Sequence, residues 1–555
     1  MTSTQPRPLA EPAAERADRF EWLVTTDHKR IGLLLVGTSL VLFYVFGAVA
    51  MTMRTQLARP DQHLLSPQLY NQLFTLHGTG MIALVVTPIA LGLGVYLVPL
   101  QIGAPTIAGP RVTLLGYWLY IGGALSIILG CAMPDGADSG WWGYIPLANS
   151  VYSPGAGQNL WILGVVLAAC GMLLLSATLT WTILTRRAPG MTMMRLPVFT
   201  WSMLVTCFMG VTAFPSLLAA MGLEIYDRIY HFNSNFWNVL YEHMFWFYGH
   251  PVVYIMFFPF VGCVAEVLAT FAARRFFAYK GTVLALLAFA AGSMAVWGHH
   301  MFVTGQVHDN YYSLTSNFLA IPAGVEYFGF LGTLIGGRLR YRTPMLFALA
   351  FIPQFLIGGL TGIMVANPTI DYHVNDSYFV VAHFHYTLLA GSLFGFFAGF
   401  YFWLPKATGI MFSEKLGRLH FLFMVIGTNL TFLPMFGLGM LGMPRRVASY
   451  PASMGIGTLN LISSIGAFIL GFSMLFLIYN LYISARRKVP APPDPWLGTT
   501  LEWATSSPPP RFNFNAQYPV PKIRGYAPLL DLREERAKAQ QGSSDAARVI
   551  PPEDS

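Results

Sequence analysis

The chain has 555 residues, of which 55% are hydrophobic, 15% aromatic and only 10% charged, with a formal net charge of +8. Soluble domains carry about 25% charged residues, so the composition excludes a water-soluble enzyme and identifies an integral membrane protein. The excess Lys and Arg sit in short loops and tails, where they set the orientation of a membrane chain rather than bind nucleic acid.

Residues 1–30 read as a polar cytoplasmic segment, with no cleavable signal peptide evident in Met1–Phe20. Twelve apolar segments then reach the roughly 20 residues that cross a bilayer. Their cores are 31–53, 69–98, 112–133, 158–185, 194–222, 236–267, 278–302, 311–336, 343–366, 378–404, 416–440 and 458–484. The expected fold is therefore an all-α bundle of about twelve transmembrane helices over residues 31–487. Residues 488–555 are a Pro-rich, polar tail, expected to be cytoplasmic and largely unstructured. Lys29-Arg30, Arg111, Arg186-Arg187, Arg274-Arg275, Arg338, Lys406 and Arg486-Arg487-Lys488 all fall on one side, whereas the 134–157 loop carries no cation. By the positive-inside rule both termini are cytoplasmic. Arg54, Arg59, Arg228, Arg445 and Arg446 fall on the opposite side and need another reason. The four cysteines (Cys131, Cys170, Cys207, Cys263) lie far apart in apolar runs and read as packing residues.

Imidazoles are the unusual feature. His77, His250, His299, His300, His383 and His385 lie in four apolar segments with few charges nearby. Ionisable groups within a membrane are costly and mark function by default; the plainer alternative is polar packing against neighbouring hydroxyls. Residues two apart on a helix are turned by roughly 200°, so His383 and His385 address opposite flanks, and one helix can serve two metal centres. Imidazole suits iron and copper, and histidine is an axial ligand of protein-held haem. Six imidazoles divide naturally into two axial ligands for one haem, one for a second, and three for a copper. Gly78 and Gly80 beside His77 remove side chains where a flat macrocycle could approach. Tyr254, four residues after His250, lies on the same helix face and could supply a proton and an electron.

From about Thr25 to Arg487 the chain resembles subunit I of the haem-copper oxygen reductases, in the aa3-like branch of the cytochrome c oxidase family. The resemblance is carried by Thr26-Asp27-His28-Lys29, His77-Gly78, Ser153-Pro154-Gly155-Ala156-Gly157, His250-Pro251-x-x-Tyr254, His299-His300-Met301, His383-Phe384-His385-Tyr386 and Gly442-Met443-Pro444-Arg445-Arg446. It implies that His77 and His385 ligate a low-spin haem, His383 a high-spin haem, and His250, His299 and His300 a copper ion. It also implies that Tyr254 is covalently linked to His250. By the same resemblance Arg445 and Arg446 bind haem propionates, Arg54 lies near a low-spin haem substituent, and Asp376 is a candidate magnesium ligand. There Asn375 replaces a companion histidine, which makes the magnesium site doubtful. Trp246 would wall the copper site or simply pack. Two haems, expected to be of the a type, and one copper follow. So do a subunit II with a dinuclear copper centre, a subunit III, O2 as substrate, cytochrome c or a quinol as donor, and a bacterial plasma (inner) membrane location.

The resemblance breaks along the proton routes. The uptake aspartate expected after Ile102-Gly103-Ala104-Pro105 is Thr106, the asparagine pair after Pro110-Arg111 reads Val112-Thr113, and the glutamate between His-Pro and Val-Tyr is Val252. Tyr248 is present without a following serine. The lysine of the second route is Glu326 and its neighbouring threonine is Ala323, leaving Thr315 and Ser316 as polar fragments. Glu326 reads either as an altered proton relay or as a hydrogen-bonded structural carboxyl. The expected function is O2 reduction to water, coupled to altered or reduced proton translocation. The alternative is a nitric-oxide reductase on the same scaffold, and the third reading is a non-catalytic haem-binding membrane protein.

Overall fold

The computed structural model describes residues 20–231 and 234–548, with side chains to residue 540. Eleven of its helices are long and apolar enough to cross a membrane: α1 (His28–Gln56), α2 (Pro67–Gln101), α3 (Pro110–Ala132), α4 (Ala156–Thr185), α5 (Val198–Tyr230), α6 (Asn235–Phe271), α7 (Tyr279–Thr304), α9 (Thr343–Val365), α10 (Tyr378–Thr408), α11 (Glu414–Met440) and α12 (Gly457–Arg487). The twelfth expected crossing, α8, is two pieces, Asp309–Phe318 and Ala320–Leu334, joined at Leu319. Neither piece spans alone. A final helix, α13 (Pro528–Arg548), lies within the tail.

Helices that read apolar all round belong inside a bundle. The most apolar windows of α2, α6 and α10 are 83%, 89% and 78% buried, against 22% for α1 and 33% for α12. These three enclosed helices carry His77, His250, His383 and His385, so the imidazoles sit where lipid cannot reach.

Each of these helices is irregular near its histidine. In α2 the turns over Gly80–Val86, just after His77, widen to a π-helix, and Thr87 Oγ1 donates to the Ile82 carbonyl five residues back at 2.8 Å. In α10 the same widening covers His385–Leu393. Such π-bulges often mark functional sites. In α6 the helix breaks at Met256–Phe257, between Ile255 and Phe258; the Pro259 ring would collide with the Ile255 carbonyl of an unbroken helix. In α7, Trp297–Thr304 is wound as a tight 3-10 segment. Neighbouring residues are about 120° apart there, so His299 and His300 fan outward together.

The tail corrects one expectation. Between Arg487 and α13 it has little regular structure, but it is fastened to the end of the bundle where α1 begins. Lys406 Nζ donates to the Pro493 and Thr505 carbonyls at 2.7 Å and to Ser506 O at 3.3 Å. Asn513, fully buried, bridges His28 Nε2 (3.1 Å) and the Ala104 carbonyl (2.8 Å). Composition concealed this because a few anchors, among them Trp496 and Trp503, are diluted by proline and polar residues.

Candidate functional site

The tightest group is His250, His299 and His300. One nitrogen from each lies within 4.8 Å of the others, and this is the only such group of three or more metal-ligating residues among the described residues. His250 Nδ1 is 3.2 Å from His300 Nε2, which is 3.1 Å from His299 Nε2. In the tautomers that turn all three lone pairs inward, they repel unless a cation lies between them. Ser316, on α8, fixes the tautomer of His299: its hydroxyl donates to the Tyr312 carbonyl and therefore accepts from His299 Nδ1–H at 2.7 Å. The His299 Nε2 lone pair is left for the centre. Trp246 walls the group, its ring stacked on His300 at 4.0 Å and 13°, and its Nε1–H donates to Tyr144 Oη at 2.5 Å. His250 Nε2 is buried without a partner, and the Tyr254 ring lies 4.7 Å away.

His383 points from α10 toward α9. Its Nδ1 lies 3.1 Å from both the Gly358 carbonyl and Thr361 Oγ1, which leaves Nε2 free. His385 faces α11 instead, stacking on Phe432 at 4.2 Å and 12°, with Nδ1 bonded to the Val381 carbonyl at 2.8 Å. His77 Nδ1 is held by the Phe46 carbonyl at 3.0 Å. All three rings have Nδ1 fixed and Nε2 unspent, the arrangement that orients a metal-ligating imidazole. The two glycines beside His77 face aromatic rings of the protein: a Cβ on Gly78 would meet Trp141 at 3.5 Å, and one on Gly80 would strike Phe46 at 2.6 Å. Close helix packing, not room for a macrocycle, is what Gly80 provides.

On the opposite side from the tail, Arg54 is 7% exposed. Its Nη2 donates to Asn460 O, Asn460 Oδ1 and Ser464 Oγ at 2.9–3.1 Å, while Nε and Nη1 are buried and unpartnered. A buried guanidinium with two idle edges fits an acceptor from a bound group. Arg445 Nε and Arg446 Nη2 both donate to Asp376 Oδ1 at 2.7 Å, and Arg446 lies 3.9 Å over the Trp142 ring. Burial and Arg445 lower Arg446 to about 10, which leaves it cationic at neutral pH. Asp376, the candidate magnesium ligand, thus has guanidinium partners, and Asn375 donates to Asp371 Oδ2 at 3.0 Å.

The proton-path candidates are scattered. Tyr248 lines a cavity of about 20 Å³ with Thr79, Trp141 and Phe214, room for one water. Thr315 spends its hydroxyl on the Tyr311 and Tyr312 carbonyls. Ser316 serves His299. Glu326 is 2% exposed, with Oε1 unpartnered, on the buried stripe of α8 that also holds Gly329, Phe330 and Thr333. Sequence reasoning missed Thr361, Phe432, Phe46 and Tyr144. Each meets its histidine or tryptophan from another helix or loop, so no local spacing could reveal it.

The residues fit metal and haem. The clustered lone pairs, the spare Nε2 atoms inside apolar helices and the idle Arg54 edges each ask for a partner. Comparisons with known proteins point the same way. Residues 30–469 match the family described as Cytochrome C and Quinol oxidase polypeptide I. A Streptomyces coelicolor protein, provisionally described as cytochrome c oxidase subunit 1-beta, is 46% identical over 95% of this chain and 93% of its own length. Cytochrome c oxidase subunit 1 of Corynebacterium efficiens is 43% identical over 96% of this chain and 94% of its own. The fold matches a haem-copper terminal oxidase dimer solved by cryo-electron microscopy, with a TM-score of 0.69 at 19% identity, covering 83% of this chain and 84% of that one.

Proposed function

The chain belongs to the cytochrome c and quinol oxidase polypeptide I family and is the catalytic subunit of a bacterial, multi-pass terminal respiratory oxidase; from that premise we propose how its own residues divide the work. The family implies haem and copper, which when bound pass electrons to O2 and reduce it to water. His250, His299 and His300 hold the copper, His383 ligates the high-spin haem, and His77 and His385 ligate the low-spin haem. The haems number two, of the a type. The carrying observation is the three-imidazole group with His250 Nε2 left over beside Tyr254.

Around that group each side chain has a stated task. Ser316 and the Gly358 carbonyl keep His299 and His383 in the tautomers that present Nε2. Trp246 holds the plane of His300 and excludes water from that side. Tyr254, its ring 4.7 Å from that of His250 and beside the idle Nε2, is placed to donate a proton and an electron. Arg445 and Arg446 offer charge-assisted donors to haem carboxylates, and the free edges of Arg54 take a low-spin haem substituent. Glu326, desolvated and unpartnered, is held as a neutral acid that relays protons inward; Tyr248 and its cavity provide a second polar stop. Magnesium at Asp376 is disfavoured by its two arginine partners. A subunit II with a dinuclear copper centre and a subunit III complete the complex, with cytochrome c or a quinol as donor.

His299→Ala tests the division. Copper and turnover should be lost while the low-spin haem spectrum persists; loss of both haem signals would mean the ligand sets are wrongly divided.

A further inference from the structure

The residues that would collect protons after Ile102 are Thr106 and Val112 in this chain. The same end of the bundle nevertheless holds two buried carboxyls, one from α6 and one from the tail. Glu266 is 5% exposed and Glu502 is fully buried. Leu501 packs on Gly103, where a Cβ would meet it at 3.5 Å, so this part of the tail lies over the loop that carries Thr106.

Glu502 is held unevenly. Its Oε1 accepts from Thr500 Oγ1 at 2.8 Å, Trp403 Nε1 at 2.9 Å and Gln101 Nε2 at 3.2 Å, while Oε2 is buried with no partner. Gln101 in turn accepts from Thr200 Oγ1 at 2.8 Å. Glu266 Oε1 accepts from the Phe199 backbone N–H, at 3.3 Å. Glu266 also lines a cavity of about 10 Å³ with Arg275, Thr499 and Tyr526, at the lower limit for one ordered water. One turn further into the bundle Gly262 faces Ser202, and beyond it Thr206 Oγ1 is buried and unpartnered.

No cation neutralises the two carboxyls directly. Lys406 on α10 feels Glu502 and Asp494, but its ammonium is committed to the Pro493, Thr505 and Ser506 carbonyls. Arg275, after α6, is taken by Asp531 and Glu534 of α13. The remaining titratable neighbours are Tyr279, Tyr526 and Cys263, each of which feels Glu266. One aromatic pair joins the two carboxyls: Phe199, whose N–H donates to Glu266, packs its ring 5.3 Å from that of Trp403, whose Nε1–H donates to Glu502. Burying two carboxyls in one apolar region, with only a few neutral donors and no cation paired to either, disfavours ionising both.

We propose that Glu266 and Glu502 form a proton-uptake pair at the tail-covered end of the bundle, where a proton from water in the Glu266 cavity binds a carboxylate and is held between the two side chains. The tail thereby supplies part of the proton machinery. This rests on the oxidase reading, because only a proton-consuming reaction needs such a pair.

The test uses the full complex with Glu266→Gln and Glu502→Gln. In the Glu502→Gln variant the amide oxygen keeps the three donors satisfied, so a purely structural carboxyl would leave rate and pH profile unchanged. Each variant should slow O2 uptake about tenfold or more at alkaline pH, where protons are scarce, and less at acid pH, as for loss of a general acid; Glu266→Asp should restore part of the rate. A pH-induced infrared difference spectrum, which needs no turnover, should show a protonated carboxyl band that both amide variants lose. Parental rates, a loss equal at every pH, or an infrared spectrum unchanged by the substitutions would each overturn the pair. A parental complex that consumes no O2 but shows the band would overturn the oxidase reading and leave the proton site standing.

Discussion

Ser316→Ala is the sharpest perturbation of the copper group. The Ser316 hydroxyl has one proton, and the Tyr312 carbonyl takes it, so Ser316 Oγ can only accept from His299 Nδ1–H, at 2.7 Å. That bond alone keeps the Nε2 lone pair turned toward His300 Nε2, 3.1 Å away. Alanine leaves a buried N–H without its partner, which costs about 1–3 kcal/mol, and lets the ring rotate or change tautomer. Losing the outer partner of a metal-ligating histidine weakens metal binding about 10–100-fold, equivalent to about 1.4–2.8 kcal/mol at about 1.4 kcal/mol per decade. Competition between the purified complex and a graded chelator, followed by copper content, measures this. The low-spin haem spectrum should be unaffected, since His77 and His385 lie outside this bond network. Unchanged copper retention at every chelator strength would refute the claim that Ser316 sets the tautomer.

Other substitutions separate the remaining parts. Gly362→Ala puts a Cβ 3.1 Å from His383 Cε1; the ring must yield by a few tenths of an ångström, at an overpacking cost of about 1–3 kcal/mol, and the high-spin haem band should shift while the low-spin band does not. Glu326→Leu removes a buried unpartnered carboxyl, so thermal stability in detergent should rise by about 1–3 kcal/mol while O2 uptake falls roughly a hundredfold; unimpaired turnover would deny Glu326 a relay role. Asp371 is raised to about 6 from 3.8 by burial. The folded state therefore holds its proton more tightly, and stability present below about pH 4 is lost as pH rises through 6. Asp371→Asn should then melt at a similar temperature to the parent near pH 4 and at a higher one at pH 8; equal melting at both would count against that burial effect.

The transmembrane plan was legible because apolar runs of spanning length leave few other solutions. Only α8 departs, since its two halves meet at Leu319. The site was half legible. His383 and His385 announce two flanks by spacing alone, and the structure turns one to α9 and the other to α11. His385 takes its Nδ1 partner, Val381, from its own helix, but His77, His383 and His299 are oriented from elsewhere: by Phe46 on α1, Gly358 and Thr361 on α9, and Ser316 on α8. Such contacts arise from packing between segments tens to hundreds of residues apart, which a linear pattern does not encode. Ser316 looks in sequence like a fragment of a proton route, yet its hydroxyl is spent on His299 and the Tyr312 carbonyl. The tail misled for a related reason: the average composition of 488–555 is that of a loose chain, but a few buried anchors such as Trp503 and Asn513 decide its fate.

The most direct measurement is gas consumption by the purified complex supplied with a reduced electron donor, O2 and NO being offered separately. The three-imidazole copper group beside Tyr254 predicts sustained O2 uptake to water without peroxide release. Steady conversion of NO to N2O with no uptake of O2 would contradict it.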